Sequence, residues 1–227
     1  MCQLIENEPA DIELRTGSED NAREASSTTE TNVLGAVSPS ATAITAADIQ
    51  DVLVAHSWLA APTGDAAALQ EIAREDDAAD AMARLQAWLA RAAELLAPYA
   101  KDGATLEPLL RPIFEYDAAA VLRDGGNQAA LAREGAREVI RALANQLLEK
   151  GEVDSGSFKE IIDMMKLQVP YRSRDMFHPV RLVLTGRTGE GELDRVILLL
   201  DAASKIDFAV PVKTARQRLL EFCAAFD

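Results

Sequence analysis

The stretch from Asp175 to Asp201, DMFHPVRLVLTGRTGEGELDRVILLLD, constrains the fold more than any other. It reads as helix, glycine-rich turn, helix. Pro179 suits the first turn of a helix, because its missing N–H and fixed φ cost nothing there. Val180, Leu182, Val183 and Leu184 are apolar, and Arg181 is the one charge set among them. Gly186 offers the left-handed conformation that ends many helices. After Gly189, Glu190 and Gly191 a second helix is predicted from near Glu192, carrying Val196 to Leu200. An arginine held between a helix-starting proline and a helix-ending glycine is a positioned group.

The rest of the chain is helical wherever it shows a period. Thr45 with Asp48 predicts an N-cap for a short helix bearing Ile49, Val52 and Leu53. A second helix is predicted over Asp65–Arg74. A long amphipathic one over Asp76–Ala97 carries Met82, Leu85, Trp88, Leu89, Ala92, Leu95 and Leu96, and Pro98 stops it. Trp88 on that face is a core residue. Leu106 to Phe114 reads as a brief helix interrupted by Pro108 and Pro112, and Tyr116 to Arg123 as another, closed by Gly125-Gly126. No Lys-Ser/Thr follows those glycines, so they mark a turn and not a phosphate loop. Gln128 to Lys150 is predicted as one long helix, with Leu131, Val139, Ile140, Leu143, Leu147 and Leu148 on its core face and Gly151 as its cap. Ser157 with Glu160 fits a capping box for Phe158–Leu167, and Lys213 to Phe226 closes the chain. The alternation in Phe208–Val212 is too short, and too broken by proline, to make a strand.

Charge divides the chain. Of 37 acidic and 23 basic residues, which give a net charge of −14, residues 151–227 hold 12 and 11, so nearly all the excess lies in residues 1–150. Residues 1–42 contain 8 acidic and 2 basic residues and runs such as SSTTETN, with no helical or strand period. They are expected to be a disordered acidic tail. Such a balance argues against a generic nucleic-acid binder, which usually shows a basic face. Lys166, Arg172, Arg174, Arg181 and Arg187 nevertheless cluster in the near-neutral C-terminal third. Abundant alanine and only 5% aromatic residues favour an all-α protein. No apolar run approaches the roughly 20 residues of a membrane span. Cys2 and Cys223, at opposite ends, form no disulfide or metal framework, and with no apolar stretch after Met1-Cys2 neither a signal peptide nor a lipoprotein anchor is expected. A cytoplasmic location is expected.

The focal stretch, HPVRLVLTGRTGEGELDRVILLLDAA, resembles the segment PLRxALTGxxxGPxLxxxxxLLGxE of bacterial glutamyl-tRNA synthetases. The shared positions are Pro179, Arg181, Leu184, Thr185, Gly186 and Leu193. Looser similarity reaches back to about Leu131. In that family the segment belongs to the helical C-terminal domain that reads the anticodon. Two positions depart from it: Glu190-Gly191 stands where the family has glycine-proline, and Asp201 where it has glycine. The resemblance implies a multi-helix bundle and a tRNA partner of the glutamate type. It also implies an RNA contact at Arg181, beside which Thr185, Arg187, Glu190 and Gly191 of the same turn and the nearby Arg172, Arg174 and Lys166 are the further candidates for RNA binding. An arginine fork can bond a base edge or a phosphate, or stack on an unstacked base. For Arg181 the alternative is an ion pair with Asp175 or Asp194. His178, biased to extended geometry before a proline, either caps and packs or touches RNA.

No catalytic residue is expected. The nucleotide-binding sheet and HIGH-like and KMSKS-like signatures of a synthetase are absent from the sequence, and no cluster has metal spacing. No metal, cofactor or membrane partner is expected either. Three segments follow: the tail at 1–42, a helical subdomain at 43–150, and an anticodon-binding-like helical subdomain at 151–227. The function expected from the resemblance is tRNA binding in support of aminoacylation, alone or beside a synthetase in trans. A helical module that kept the fold but binds protein is the alternative, and the charge favours it.

Overall fold

A computed structural model describes residues 43–60 and 75–226. The predicted acidic tail and the helix expected at Asp65–Arg74 lie outside the described residues. Those described form ten α-helices and no strand. In chain order they are α1 (Ala46–Ala55), α2 (Glu75–Leu96), α3 (Gly103–Phe114), α4 (Ala118–Arg123), α5 (Gly125–Leu131), α6 (Ala136–Glu149), α7 (Ser155–Gln168), α8 (Ser173–Thr185), α9 (Gly191–Ala203) and α10 (Ala215–Phe226). The all-α expectation holds.

The two focal helices are the hub. Helix α9 packs against α2, α3 and α8, while α8 packs against α5, α6, α9 and α10. Val196, Ile197, Leu199 and Leu200 of α9 and Val180, Leu182 and Val183 of α8 are wholly buried. Trp88 is core, as expected, and its indole N–H donates to the Leu199 carbonyl at 3.1 Å. Around it Trp58, Phe114 and Phe208 pack with ring centroids 4.8 to 5.2 Å apart, which joins α1, α2, α3 and the 208 loop. One contiguous apolar core runs through helices on both sides of Gly151.

Local capping chemistry explains most helix starts. Thr45 and Asp48 form the expected capping box on α1. Asp102 with Thr105 and Asp154 with Ser157 do the same for α3 and α7. The α7 cap is therefore Asp154, and Ser157 is its box partner three residues in, not the cap itself. Gly151 does not cap α6: that helix ends on Lys150 in extended geometry, and Gly151 has no positive φ.

Other boundaries differ from expectation for physical reasons. The predicted helix Gln128–Lys150 is two helices, because Gly135 adopts φ +83 between them. The Tyr171 ring occupies the space there, and a Cβ on Gly135 would lie 2.0 Å from it. Gly125 and Gly126 open α5 behind an Asp124 cap and do not close α4. Helix α3 continues unbroken through Pro108 and Pro112. Each proline removes one N–H bond to the carbonyl four residues back. The Ala104 carbonyl left by Pro108 belongs to an exposed residue, and the Pro108 carbonyl left by Pro112 accepts instead from the Arg187 guanidinium at 3.0 Å. Helix α8 begins at Ser173, six residues before Pro179, so Pro179 is internal and buried. The carbonyl it orphans belongs to exposed Asp175. Met82 and Leu148, expected in the core, are 57% and 41% exposed. No helix among the described residues is long and apolar enough to cross a membrane.

Candidate nucleic-acid interface

The α8–α9 turn is built from its two ends. Gly186 ends α8 at φ +76, as expected, and its N–H bonds the Leu182 carbonyl at 2.9 Å. A Cβ there would sit 2.9 Å from a Val121 methyl, so both φ and space select glycine. Glu190 caps α9 by backbone geometry alone; its N–H is bonded by the Glu192 carboxylate at 2.9 Å. Asn127 from α5 reaches the turn, donating to the Gly186 carbonyl at 3.4 Å.

Arg181 organises this turn from within. Its side chain is 9% exposed. Nε and Nη2 grip both oxygens of Asp194 at 2.7 and 2.8 Å, and Nη1 bonds the Gly189 carbonyl at 2.8 Å. Burial works against its charge, but Asp194, with Glu190 and Glu192 nearby, more than offsets that and holds its pKa above the ordinary value. Of the two readings left open, the structure shows the ion pair, with Asp194 and not Asp175. Thr185 is likewise buried, its hydroxyl donating back to the Arg181 carbonyl at 2.8 Å.

The remaining expected residues are exposed, apart from the half-buried Gly191, but not gathered at one point. Arg187 follows Gly186 and reaches back to α3 through Pro108. Arg174 and Glu190 face each other at 4.0 Å across the turn. Gly191 starts α9, where a Cβ would lie 3.9 Å from the Tyr99 hydroxyl. Arg172 and Lys166 lie at the α7–α8 corner. There Arg172 donates to the carbonyls of Lys166, Val169 and Tyr171 at 2.7 to 2.8 Å and so caps α7, while Lys166 pairs with Asp163 at 2.8 Å. Beside the turn is an open recess of about 480 Å³ lined by Ala120, Val121, Asp124, Asn127, Gly186, Arg187 and Thr188. His178 is not extended: it lies inside α8, half-buried. Burial first, then Arg174, Arg133 and Arg181, holds its pKa below the ordinary 6.5.

Sequence reasoning missed two buried polar residues that tie helix ends together. Asp201, marked only as a departure from the family pattern, is buried and accepts from the N–H groups of Val153 and Ala215, each at 2.7 Å. Arg218 is fully buried. It donates to the carbonyls of Pro112 and Ile113 at the end of α3, of Leu184 at the end of α8, and of Lys213. A signal was present, since Arg218 stands on the apolar stripe formed by Ala215, Leu219 and Phe222. Its cation lies where the negative ends of two helix dipoles converge.

Comparison with known proteins agrees with this geometry. The glutamate–tRNA ligase 2 of Syntrophus aciditrophicus (strain SB) is 32% identical over 124 residues, 52% of this chain. The aligned region spans about a quarter, 24%, of that relative's length. No solved structure matches. The model of the anticodon binding domain family matches residues 65–204, which include α2 through α8 and all of α9. This chain therefore belongs to the anticodon binding domain family.

Proposed function

We propose that this chain binds tRNA of the glutamate type, in the cytoplasm, and supports aminoacylation without catalysing it, alone or beside a synthetase in trans. The observation that carries the reading is the coincidence of the family match with a rigid glycine turn flanked by the exposed guanidiniums of Arg187 and Arg174. In this reading Arg187, Arg174, Arg172 and Lys166 meet phosphate or base edges, as does the Glu190-Gly191 backbone at the start of α9. Arg181 and Thr185 act through the shape of the turn. Basic side chains near phosphates release counterions, so affinity falls as salt rises.

A titration of fluorescent tRNA with the whole chain, repeated at several salt concentrations, tests this. Log affinity is expected to fall linearly with log salt. Arg187→Ala is expected to flatten the slope by about 0.7 if its phosphate lies in a single-stranded loop. No binding at low salt ends the RNA reading. It leaves the protein-binding module, which the net charge of −14 favours.

A further inference from the structure

A second concave surface lies away from the turn. A cavity of about 640 Å³ opens where α5, α6 and the end of α10 meet, within the size range of small-molecule sites. Leu122, Leu131 and Phe226 form its apolar wall, and Arg133, Arg137 and Glu138 stand at its rim. Arg137 lies over the Phe226 ring, 4.7 Å from the centroid, and the buried Phe222 ring braces Phe226 at 5.5 Å. Among the described residues the Arg137 guanidinium makes no hydrogen bond or ion pair, so its donors remain open to a ligand.

Positive charge continues from this cavity toward the turn. Arg133 has only an exposed partner, Asp175, at 3.5 Å. Arg133 and Arg174 both act on the half-buried His178, which makes no hydrogen bond among the described residues. Glu138 opposes this charge at the rim but is engaged with the Tyr171 hydroxyl. Arg137, Arg133 and Arg174 thus place three guanidiniums between this cavity and the Glu190 side of the turn, with Glu138, Asp175 and Glu190 as their acidic neighbours and the neutral His178 among them. Phe226 lies beyond residues 65–204, while Leu122, Leu131, Arg133 and Arg137 lie within the family match.

We propose that the cavity is a second contact for single-stranded RNA, in which one base stacks on the Arg137–Phe226 pair against Leu122 and Leu131 while its phosphate meets Arg133. A nucleotide carries both a flat π-face and an anion, which is what a guanidinium stacked on phenylalanine beside a second arginine matches. An acidic peptide supplies the anion but leaves the flat face uncovered. The inference rests on the RNA reading above and extends it from the turn along α8.

The test uses the whole chain with fluorescein-labelled octaadenylate, octauridylate and tRNA at low salt. Arg137→Ala and Phe226→Leu are expected to weaken octaadenylate binding by about 5-fold or more, given the usual worth of one stacked base. Arg133→Ala is expected to weaken both oligomers alike. The thermal midpoint of Arg137→Ala should match the parent, because Arg137 is exposed. Unchanged RNA binding by Arg137→Ala and Phe226→Leu, beside a loss in Arg187→Ala, overturns this inference and leaves the turn as the RNA contact. Octaadenylate binding that depends on Arg137, in a chain that binds no tRNA, supports the cavity and removes the tRNA reading. Equal competition by octaglutamate overturns the inference, since charge alone would then account for binding.

Discussion

Tyr116 meets Arg218 twice: its ring lies 4.7 Å beneath the guanidinium, and its hydroxyl lies 3.3 Å from the Arg218 carbonyl while donating to Val183 at 2.6 Å. Two helix ends are thereby closed by two side chains. Tyr116 takes the Val183 carbonyl of α8, and Arg218 takes the Leu184 carbonyl with two from α3. Burial pulls the Arg218 pKa down to about 10 and pushes Tyr116 above its ordinary range, so the arginine stays charged at neutral pH. A buried cation held by carbonyl dipoles and a π-face is tolerated because the groups that its guanidinium touches present partial negative charge.

Removing Arg218 exposes that dependence. Arg218→Met keeps much of the volume but leaves four carbonyls without their donor. The expected loss is about 3 kcal/mol or more, from roughly 1–3 kcal/mol per unsatisfied buried group with partial relaxation. Arg218→Lys keeps the charge without the fork and should fall between. Urea unfolding of the three proteins checks this, and a lysine variant as stable as the parent would show that charge alone suffices.

The Arg181–Asp194 pair should behave as a coupled unit. Each single change, Arg181→Ala or Asp194→Ala, leaves one charge without its partner at a largely buried site and is expected to cost about 2–3 kcal/mol. The double variant should cost less than the sum, with a coupling of about 1–2 kcal/mol in a double-mutant cycle. Additive losses would mean that the two residues stabilise the turn independently.

At Gly186 two costs can be separated. Gly186→Ala is expected to lose about 1–2 kcal/mol from the left-handed backbone and the Val121 contact together. Adding Val121→Ala should relieve the contact but not the backbone part, so the second change costs less in the Gly186→Ala background than alone. Gly186→Asn should be milder than Gly186→Val, because asparagine tolerates this region of φ. Equal melting temperatures for the asparagine and valine variants would contradict the conformational argument.

His178 should make stability pH-dependent on the acid side. Its folded pKa is held below 6.5, so the unfolded chain binds the proton first as pH falls. Stability contributed by neutral His178 is present above pH 6.5 and is lost as pH drops through the folded value. Thermal midpoints between pH 7.5 and 5 should fall less steeply in His178→Gln than in the parent. The surface His56 is common to both proteins and cancels. Identical slopes would show that neither burial nor the neighbouring arginines shift this ring.

Local rules made part of this molecule readable in its sequence. Thr45 with Asp48, the amphipathic period ending at Leu96, the buried Trp88 and the left-handed Gly186 all depend on residues within a few positions of each other. Steric and hydrogen-bonding preferences act over that range whatever the rest of the chain does. Family membership was legible for the same reason, since the motif around Pro179, Arg181 and Gly186 is local. What only tertiary structure decided involves partners far apart in sequence. Helix α3 survives Pro112 because Arg187, 79 positions from Pro108, supplies a donor to the carbonyl that Pro112 orphans. The helix expected from Gln128 breaks at Gly135 because the Tyr171 ring lies against it. Arg181 faces inward because Asp194 and the Gly189 carbonyl meet it across the turn. The identity of these residues is in the sequence, but their pairing depends on where packing puts helices whose apolar faces carry no addresses.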